Sequence, residues 1–250
     1  MSLAIKKIFP KFYKFSKNLA NKLPKESILW DNKSYKVNLG VHRMLKLWRS
    51  DSLFKEANIV YDNYSGGDFI DIGAYTGFYS FLLSPKSKEN DNFISCEPDN
   101  NAHYELFLNL SVLKKLFINN YYSVITKPIS NGKKVIIAHN EWGHPCFLDI
   151  KEIDFEKKKY YQSISVDNLV ESLSLSPTLI KIDTEGAELG VLEGMKNTLK
   201  KFKPKIMLEK HPTMIPKNIT IEMIDKILKD FNYNSTLINK SDLTIREIWK

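Results

Sequence analysis

The chain has 250 residues, 43% hydrophobic, 26% charged and 12% aromatic, enough apolar material for one full core or two small ones. Ten Gly and ten Pro exclude collagen-like and low-complexity chains, and no apolar run approaches the roughly 18–20 residues of a membrane span. Two cysteines, Cys96 and Cys146, are too few for a disulfide framework or a thiolate zinc site and favour a reducing compartment. The net charge of +8 sits in residues 1–25, where Lys6, Lys7, Lys11, Lys14, Lys17, Lys22 and Lys25 meet no acidic residue and carry +7, leaving about +1 for the rest. Only Arg43, Arg49 and Arg246 supply guanidinium forks, so no nucleic-acid partner is expected of the body.

In chain order, Ile5, Ile8, Phe9, Phe12, Phe15, Leu19 and Leu23 recur at steps of three and four and predict a basic amphipathic helix, started or kinked at Pro10. Its lysines interrupt every apolar stretch that a cleaved signal would need, which predicts a cytoplasmic protein. Two readings of residues 1–25 stay open: peripheral contact with an anionic inner membrane surface, or packing on the body with the lysines outward.

From residue 66 short β-rich runs alternate with helical patterns, the signature of an α/β fold with a mostly parallel sheet and helices on both faces. Strands are predicted at Gly67–Ile72, Asn92–Cys96, Tyr121–Thr126, Leu179–Asp183 and Ile206–Leu208, and helices at Thr76–Leu83, Asn100–Leu113, Ala187–Leu199 and Ile219–Leu228. Tyr233–Ile238 and Leu243–Trp249 close the chain as two strands. Asn131-Gly132, between Val124–Ile129 and Val135–Ala138, predicts a hairpin, and residues 139–160 read as irregular. The organisation is a 60-residue N-terminal extension followed by one catalytic-type domain over residues 61–250, with no repeat.

Four segments carry chemistry. In Asp68-Phe69-Ile70-Asp71-Ile72-Gly73-Ala74-Tyr75-Thr76-Gly77 a strand ends at Asp71, Gly73 permits a tight turn and Gly77 opens a helix; the spacing misses the pyrophosphate fingerprint G-x-G-x-x-G. A carboxylate there repels phosphate and suits a sulfonium amino acid with an α-ammonium group. Glu97, closing the next strand about 26 residues on, fits a clamp for ribose hydroxyls. The third segment, Ile180-Lys181-Ile182-Asp183-Thr184-Glu185-Gly186-Ala187-Glu188, and the fourth, Glu209-Lys210-His211, place further polar groups past buried strands. Lys181 and Ile182 read as structural; Asp183, Glu185 and Glu188 read either as helix caps or as site groups. His211 alone among five histidines stands at a strand end, where its ordinary pKa suits a general base.

Together these segments resemble the FkbM family of S-adenosylmethionine-dependent methyltransferases over about residues 66–212, most specifically in IKIDTEGAE. The resemblance implies a Rossmann-like fold with strand order 3-2-1-4-5-7-6, the last strand antiparallel, and O-methylation of a sugar, glycan, glycolipid or other small-molecule hydroxyl. It implies S-adenosyl-L-methionine held by Asp71, Gly73, Ala74, Tyr75, Gly77 and Glu97, with Asp183, Glu185 and His211 on the acceptor side. Tyr75 replaces a small polar residue common in the family and could reshape the cofactor entrance. Residues 139–160, with His139, Glu141, Trp142 and His144, match no family motif and read as a variable acceptor loop.

Methyl transfer is an in-line displacement in which positioning supplies much of the rate, and His211, then Asp183, is the predicted base for the acceptor hydroxyl. Glu185 with Asp183 offers oxygen ligands, but no metal is predicted because no complete ligand set is recognisable. The rival readings are methylation of protein or RNA, and a non-catalytic membrane-associated scaffold with its pocket blocked by Tyr75. Acceptor and oligomeric state are not encoded in any recognisable pattern.

Overall fold

The structure, a computed structural model, describes residues 26–30, 33–37, 51–139, 145–147 and 160–250. The predicted basic helix of residues 1–25 and most of the 139–160 loop lie outside these. A small antiparallel hairpin, β1 (Glu26–Trp30) with β2 (Lys33–Val37), precedes helix α1 (Asp51–Asn63). The main sheet then begins with β3 (Asp68–Ile72), α2 (Phe78–Leu83), β4 (Asn92–Cys96), α3 (Asn100–Leu116) and β5 (Tyr121–Ile125). A three-stranded sheet of β6 (Lys134–His139), β7 (Pro145–Phe147) and β8 (Tyr160–Gln162) interrupts it. The chain continues through α4 (Val166–Ser172), β9 (Pro177–Asp183), α5 (Glu188–Glu193), α6 (Lys196–Phe202), β10 (Lys205–Lys210), α7 (Ile221–Asp230), β11 (Ser235–Lys240) and β12 (Ile245–Trp249).

The seven-stranded sheet has the order β11-β12-β10-β9-β3-β4-β5, with only β12 antiparallel to its neighbours. Read from β5 this is 3-2-1-4-5-7-6, as the family resemblance implies. Alternating side chains divide the core in two. Phe69, Phe93, Leu179 and Met207 face α1, α2 and α3, whereas Ile70, Ile94, Ile180, Ile206 and Leu208 face α4, α5, α6 and α7. Helix α1 belongs to the first core through Ala57 and Val60, so the segment around the expected boundary at residue 60 packs directly on the sheet.

Two predicted elements differ. Asn131-Gly132 does not turn a hairpin: Pro128 has no N–H for a ladder, and residues 128–130 pair with Ile164 instead, through Ser130 N–H to the Ile164 carbonyl and Ile164 N–H to the Pro128 carbonyl, both 3.0 Å. Strand β6 consequently pairs with β7 and β8. The single helix predicted over Ala187–Leu199 is two helices broken at Gly194-Met195, where the crossing chain comes so close that a Cβ on Gly194 would lie 2.2 Å from the Ser130 carbonyl oxygen. The break is held by Asp167, whose carboxylate accepts from the backbone N–H groups of Asn197 (3.0 Å) and Thr198 (2.7 Å) and from the Thr198 hydroxyl (2.7 Å), serving α6 from a distant helix as an N-cap would. Among the described residues no helix is long and apolar enough to cross a membrane.

Asp167→Ala removes this cap and should lower unfolding free energy by about 1–2 kcal/mol, read by urea denaturation. An unchanged midpoint would show that α6 does not depend on it.

Candidate active site

A cavity of about 320 Å³ opens at the carboxyl ends of β3, β4, β9 and β10, the edge where open α/β sheets place their ligands. One end is walled by the turn after β3, by Glu97, Pro98 and Asp99 after β4, and by Lys127, Pro128 and Ile129 after β5. The other end is charged, walled by Lys181, Asp183, Glu209, His211, Arg246 and Glu56 with the Tyr79 ring.

The turn after β3 is fixed from both sides. Gly73 has φ +81°, and the N–H groups of Gly73 and Ala74 both donate to the Cys96 carbonyl at 2.9 and 3.0 Å. On the other side a Cβ at Gly73 would fall 1.7 Å from the Asp183 carbonyl oxygen, so any side chain would collide with β9. Tyr75 continues the turn at φ +47° and donates its N–H to Glu97 Oε2 at 2.8 Å. Its side chain is 48% exposed beside an open cavity, so it forms part of the rim and leaves the pocket open.

Glu97 is the best-positioned group at this end. Its Oε1 accepts from Asp99 N–H at 2.8 Å, its Oε2 from Tyr75 N–H, and the His103 ring Nε2 lies 2.6 Å from its carbonyl oxygen. Burial raises its pKa to about 7, against the lowering effect of the two N–H donors. Each carboxylate oxygen keeps a lone pair for a further donor.

The charged end is written in sheet register. Asp71 on β3 stands opposite Lys181 on β9; Asp183 stands opposite Glu209 on β10; Glu209 stands opposite Arg246 on β12. All point to the face covered by α1 and α2; the Asp71–Lys181 and Glu209–Arg246 pairs attract, and their cations offset the repulsion between the like-charged Asp183 and Glu209. The Lys181 ammonium lies 3.6 Å from Asp71 Oδ1, 3.1 Å from Asp183 Oδ2 and 3.1 Å from the Gly73 carbonyl oxygen, to which it donates. Burial pulls the Lys181 pKa down, but Asp183, Asp71 and Glu209 outweigh it and hold the ammonium charged. Asp71, fully buried, is pushed up to about 6 by burial against the opposing pull of Lys181. Arg246 donates to both oxygens of Glu209 at 2.7 and 2.6 Å and lies 3.0 Å from Glu56, which also accepts from the Tyr79 hydroxyl. Burial raises the Glu56 pKa, with Tyr79 and Arg246 opposing.

His211 is enclosed by carboxylates. Its Nδ1 lies 2.9 Å from Glu188 Oε1, and its Nε2 lies 3.5 Å from Glu209 Oε1 and 3.7 Å from Asp183 Oδ1. Burial would lower its pKa, but Glu188, Glu209 and Asp183 together raise it to about 10. Three carboxylates around the ring favour its protonated form, in which it has no lone pair to receive a proton, so the geometry favours Asp183 over His211 as the base expected from the sequence.

The structure brings Gly73, Ala74, Tyr75, Glu97, Asp183, Glu185 and His211 to the lining of one cavity. Two expected cofactor contacts are displaced from it. Asp71 lies behind Lys181, which neutralises it in the interior, and Gly77 caps α2 with its α-carbon turned to Leu106 and Leu110 of α3. Lys181, expected to be structural only, forms part of the cavity wall. Its charge inside the apolar run Leu179–Ile182 was the available signal. Arg246 and Glu56 were missed because nothing local marks a terminal strand or a helix before the first motif as part of a site.

Lys181→Met should cost about 3–5 kcal/mol in chemical denaturation by leaving buried carboxylates without their cation. Adding Asp71→Asn should return part of that loss; strictly additive effects would show that the two are not coupled.

In sequence, residues 71–235 match the methyltransferase FkbM domain. No curated protein matches the chain in sequence. Among solved structures it is similar to methyltransferase FkbM from Methylobacillus flagellatus, with 17% identity over 74% of this chain and 44% of that one and a TM-score of 0.53. It is also similar to Aeropyrum pernix fibrillarin, solved with bound S-adenosyl-L-methionine, with 10% identity over 90% and 81% of the two chains and a TM-score of 0.50. At such identities the likeness is one of fold, and the chain spans less than half of the Methylobacillus protein. The domain match over two thirds of the sequence, on a sheet of this order with this cavity at its edge, establishes that the chain belongs to the FkbM family of S-adenosyl-L-methionine-dependent methyltransferases.

Proposed function

We propose that the protein transfers a methyl group to a hydroxyl of a sugar, glycan or glycolipid. The observation that carries the cofactor half of this reading is Glu97, a buried carboxylate closing the second parallel strand on the cavity wall and aligned by two backbone N–H groups. It suits a pair of ribose hydroxyls, each of which donates to a carboxylate oxygen. Pro98 and Ile129 give apolar walls beside it for a base, and the glycine turn at Gly73-Ala74 leaves backbone room for the amino-acid end. The residues present therefore fit S-adenosyl-L-methionine, which when bound supplies an electrophilic methyl on sulfur.

The acceptor half rests on the charged end. Asp183 and Glu209 offer only acceptors, Lys181, Arg246 and His211 offer donors, and Tyr79 adds a ring. A polyol, whose hydroxyls both donate and accept, suits such a mixed wall, whereas an anionic acceptor would meet its carboxylates. These side chains hold one hydroxyl oriented toward the methyl and keep bulk water from competing. With His211 protonated, Asp183, 29% exposed in its side chain, is the carboxylate placed to receive the hydroxyl proton.

By calorimetry, Glu97→Ala should weaken S-adenosylhomocysteine binding by about tenfold or more, the worth of a charge-assisted hydrogen bond. Wild-type affinity should rise as pH increases through about 7, where Glu97 loses its proton, and level off above; Glu97→Gln should be weak and flat across that range. Unaltered binding in Glu97→Ala would remove the ribose role. Transfer of labelled methyl to a panel of soluble glycans, with protein and RNA substrates alongside, tests the acceptor class, and label in protein or RNA only would overturn it.

A further inference from the structure

We propose that Asp183, Glu209 and His211 form a binding site for a first-row divalent cation at the acceptor end of the cavity. The three side chains each offer one ligand atom, and those atoms all lie within 4.8 Å of one another. His211 is 6% exposed, and its Nδ1 is committed to Glu188 Oε1, which turns Nε2 toward Asp183 Oδ1 and Glu209 Oε1, so that a cation bound there takes the place of the Nε2 proton. The separations there, 3.7 and 3.5 Å, exceed the 2.7–3.2 Å of an N–H···O hydrogen bond. Ligands about 2.1 Å from a shared ion stand about 3.4 Å apart at the tetrahedral angle and about 3.7 Å apart at an angle of about 124°, so both separations suit a shared ion in a somewhat opened geometry.

The surroundings have the form of an outer shell that orients ligands. A carboxylate, Glu188, holds the far nitrogen of the histidine; Arg246 grips Glu209; Lys181 takes Asp183 through Oδ2 and leaves Oδ1 toward His211. Glu188 is wholly buried, and its second oxygen, Oε2, makes no hydrogen bond. Charge points the same way. Five carboxyl groups, Glu56, Asp71, Asp183, Glu188 and Glu209, gather around two permanent cations, Lys181 and Arg246. One imidazole and two carboxylates suit Mn²⁺, Fe²⁺, Co²⁺ or Zn²⁺ better than the oxygen-seeking Mg²⁺ and Ca²⁺.

The use of such an ion rests on the hydroxyl-methylation reading above, though its binding does not. An acceptor hydroxyl on the cation would lose its proton more readily to Asp183, through the oxygen the ion does not hold; its oxygen would then form the bond to the methyl carbon as the carbon–sulfur bond breaks and a neutral thioether leaves.

The test uses the full chain after chelator dialysis, titrated with Co²⁺ and followed by visible d–d absorption, with Mg²⁺ as competitor. One equivalent should bind with ligand-field bands unaffected by equimolar Mg²⁺. Asp183→Asn should weaken Co²⁺ by at least about tenfold and Glu188→Gln by about 10–100-fold, each checked for cooperative thermal unfolding. Absent bands in the wild type, or Co²⁺ held equally well by Asp183→Asn, overturns the site. Asp183 lies part-exposed at the wall, so this variant keeps the test decisive should Glu188→Gln fail to fold. S-adenosylhomocysteine titrated into the same wild-type sample separates the two readings: nucleoside without cobalt removes the metal site and leaves methyl transfer standing, and cobalt without nucleoside does the reverse.

Discussion

One ammonium group organises this site. Lys181 emerges from the middle strands of the sheet into an interior that would ordinarily expel a charge, and it stays charged because Asp71 and Asp183 face it from two strands. Its third contact, to the Gly73 carbonyl, ties the turn after β3 to β9. The glycine turn at one end of the cavity and the charged strand end at the other are thereby fixed relative to one another. Asp71, at the position expected to meet a ligand ammonium, faces an internal one at 3.6 Å, though neither of its oxygens accepts a hydrogen bond.

Around that pin the topology assigns two kinds of wall. Strands β3 and β4 end in backbone turns and a single aligned carboxylate, where shape and hydrogen-bond direction decide what fits. Strands β9 and β10 end in the neighbouring carboxylates Asp183 and Glu209, and the antiparallel β12 begins beside them and brings Arg246 opposite Glu209. Glu56 reaches the same end from α1. Arg246 and Glu56 both lie outside residues 71–235, so the charged end of the cavity is completed by residues beyond the matched segment. That is a physical route by which one family could take different acceptors on a common cofactor end.

Much of the fold was legible because its strands are short, β-rich and buried on both faces: Phe69–Ile72, Phe93–Cys96 and Leu179–Ile182 are each mostly apolar, with one polar residue inside (Asp71, Ser95 and Lys181), and end at Gly73, Glu97 and Asp183. The glycine turn and Glu97 were legible because their chemistry is local. What failed was non-local. The Asn131-Gly132 signal was overruled by Pro128 and by the pairing of Ile129 with Ile164, 35 residues on, and the break at Gly194 depends on the Ser130 backbone pressing against it. His211 was correctly placed at a strand end, but its protonation is set by Glu188, Glu209 and Asp183, whose convergence only the folded sheet reveals.

The most direct measurement is a crystal structure of the protein with S-adenosylhomocysteine. The account predicts the ribose hydroxyls within hydrogen-bond distance of Glu97, the amino-acid end along Gly73 and Ala74, and Lys181 still between Asp71 and Asp183. A nucleoside bound elsewhere, or Lys181 drawn away from Asp71 to the ligand, would contradict it.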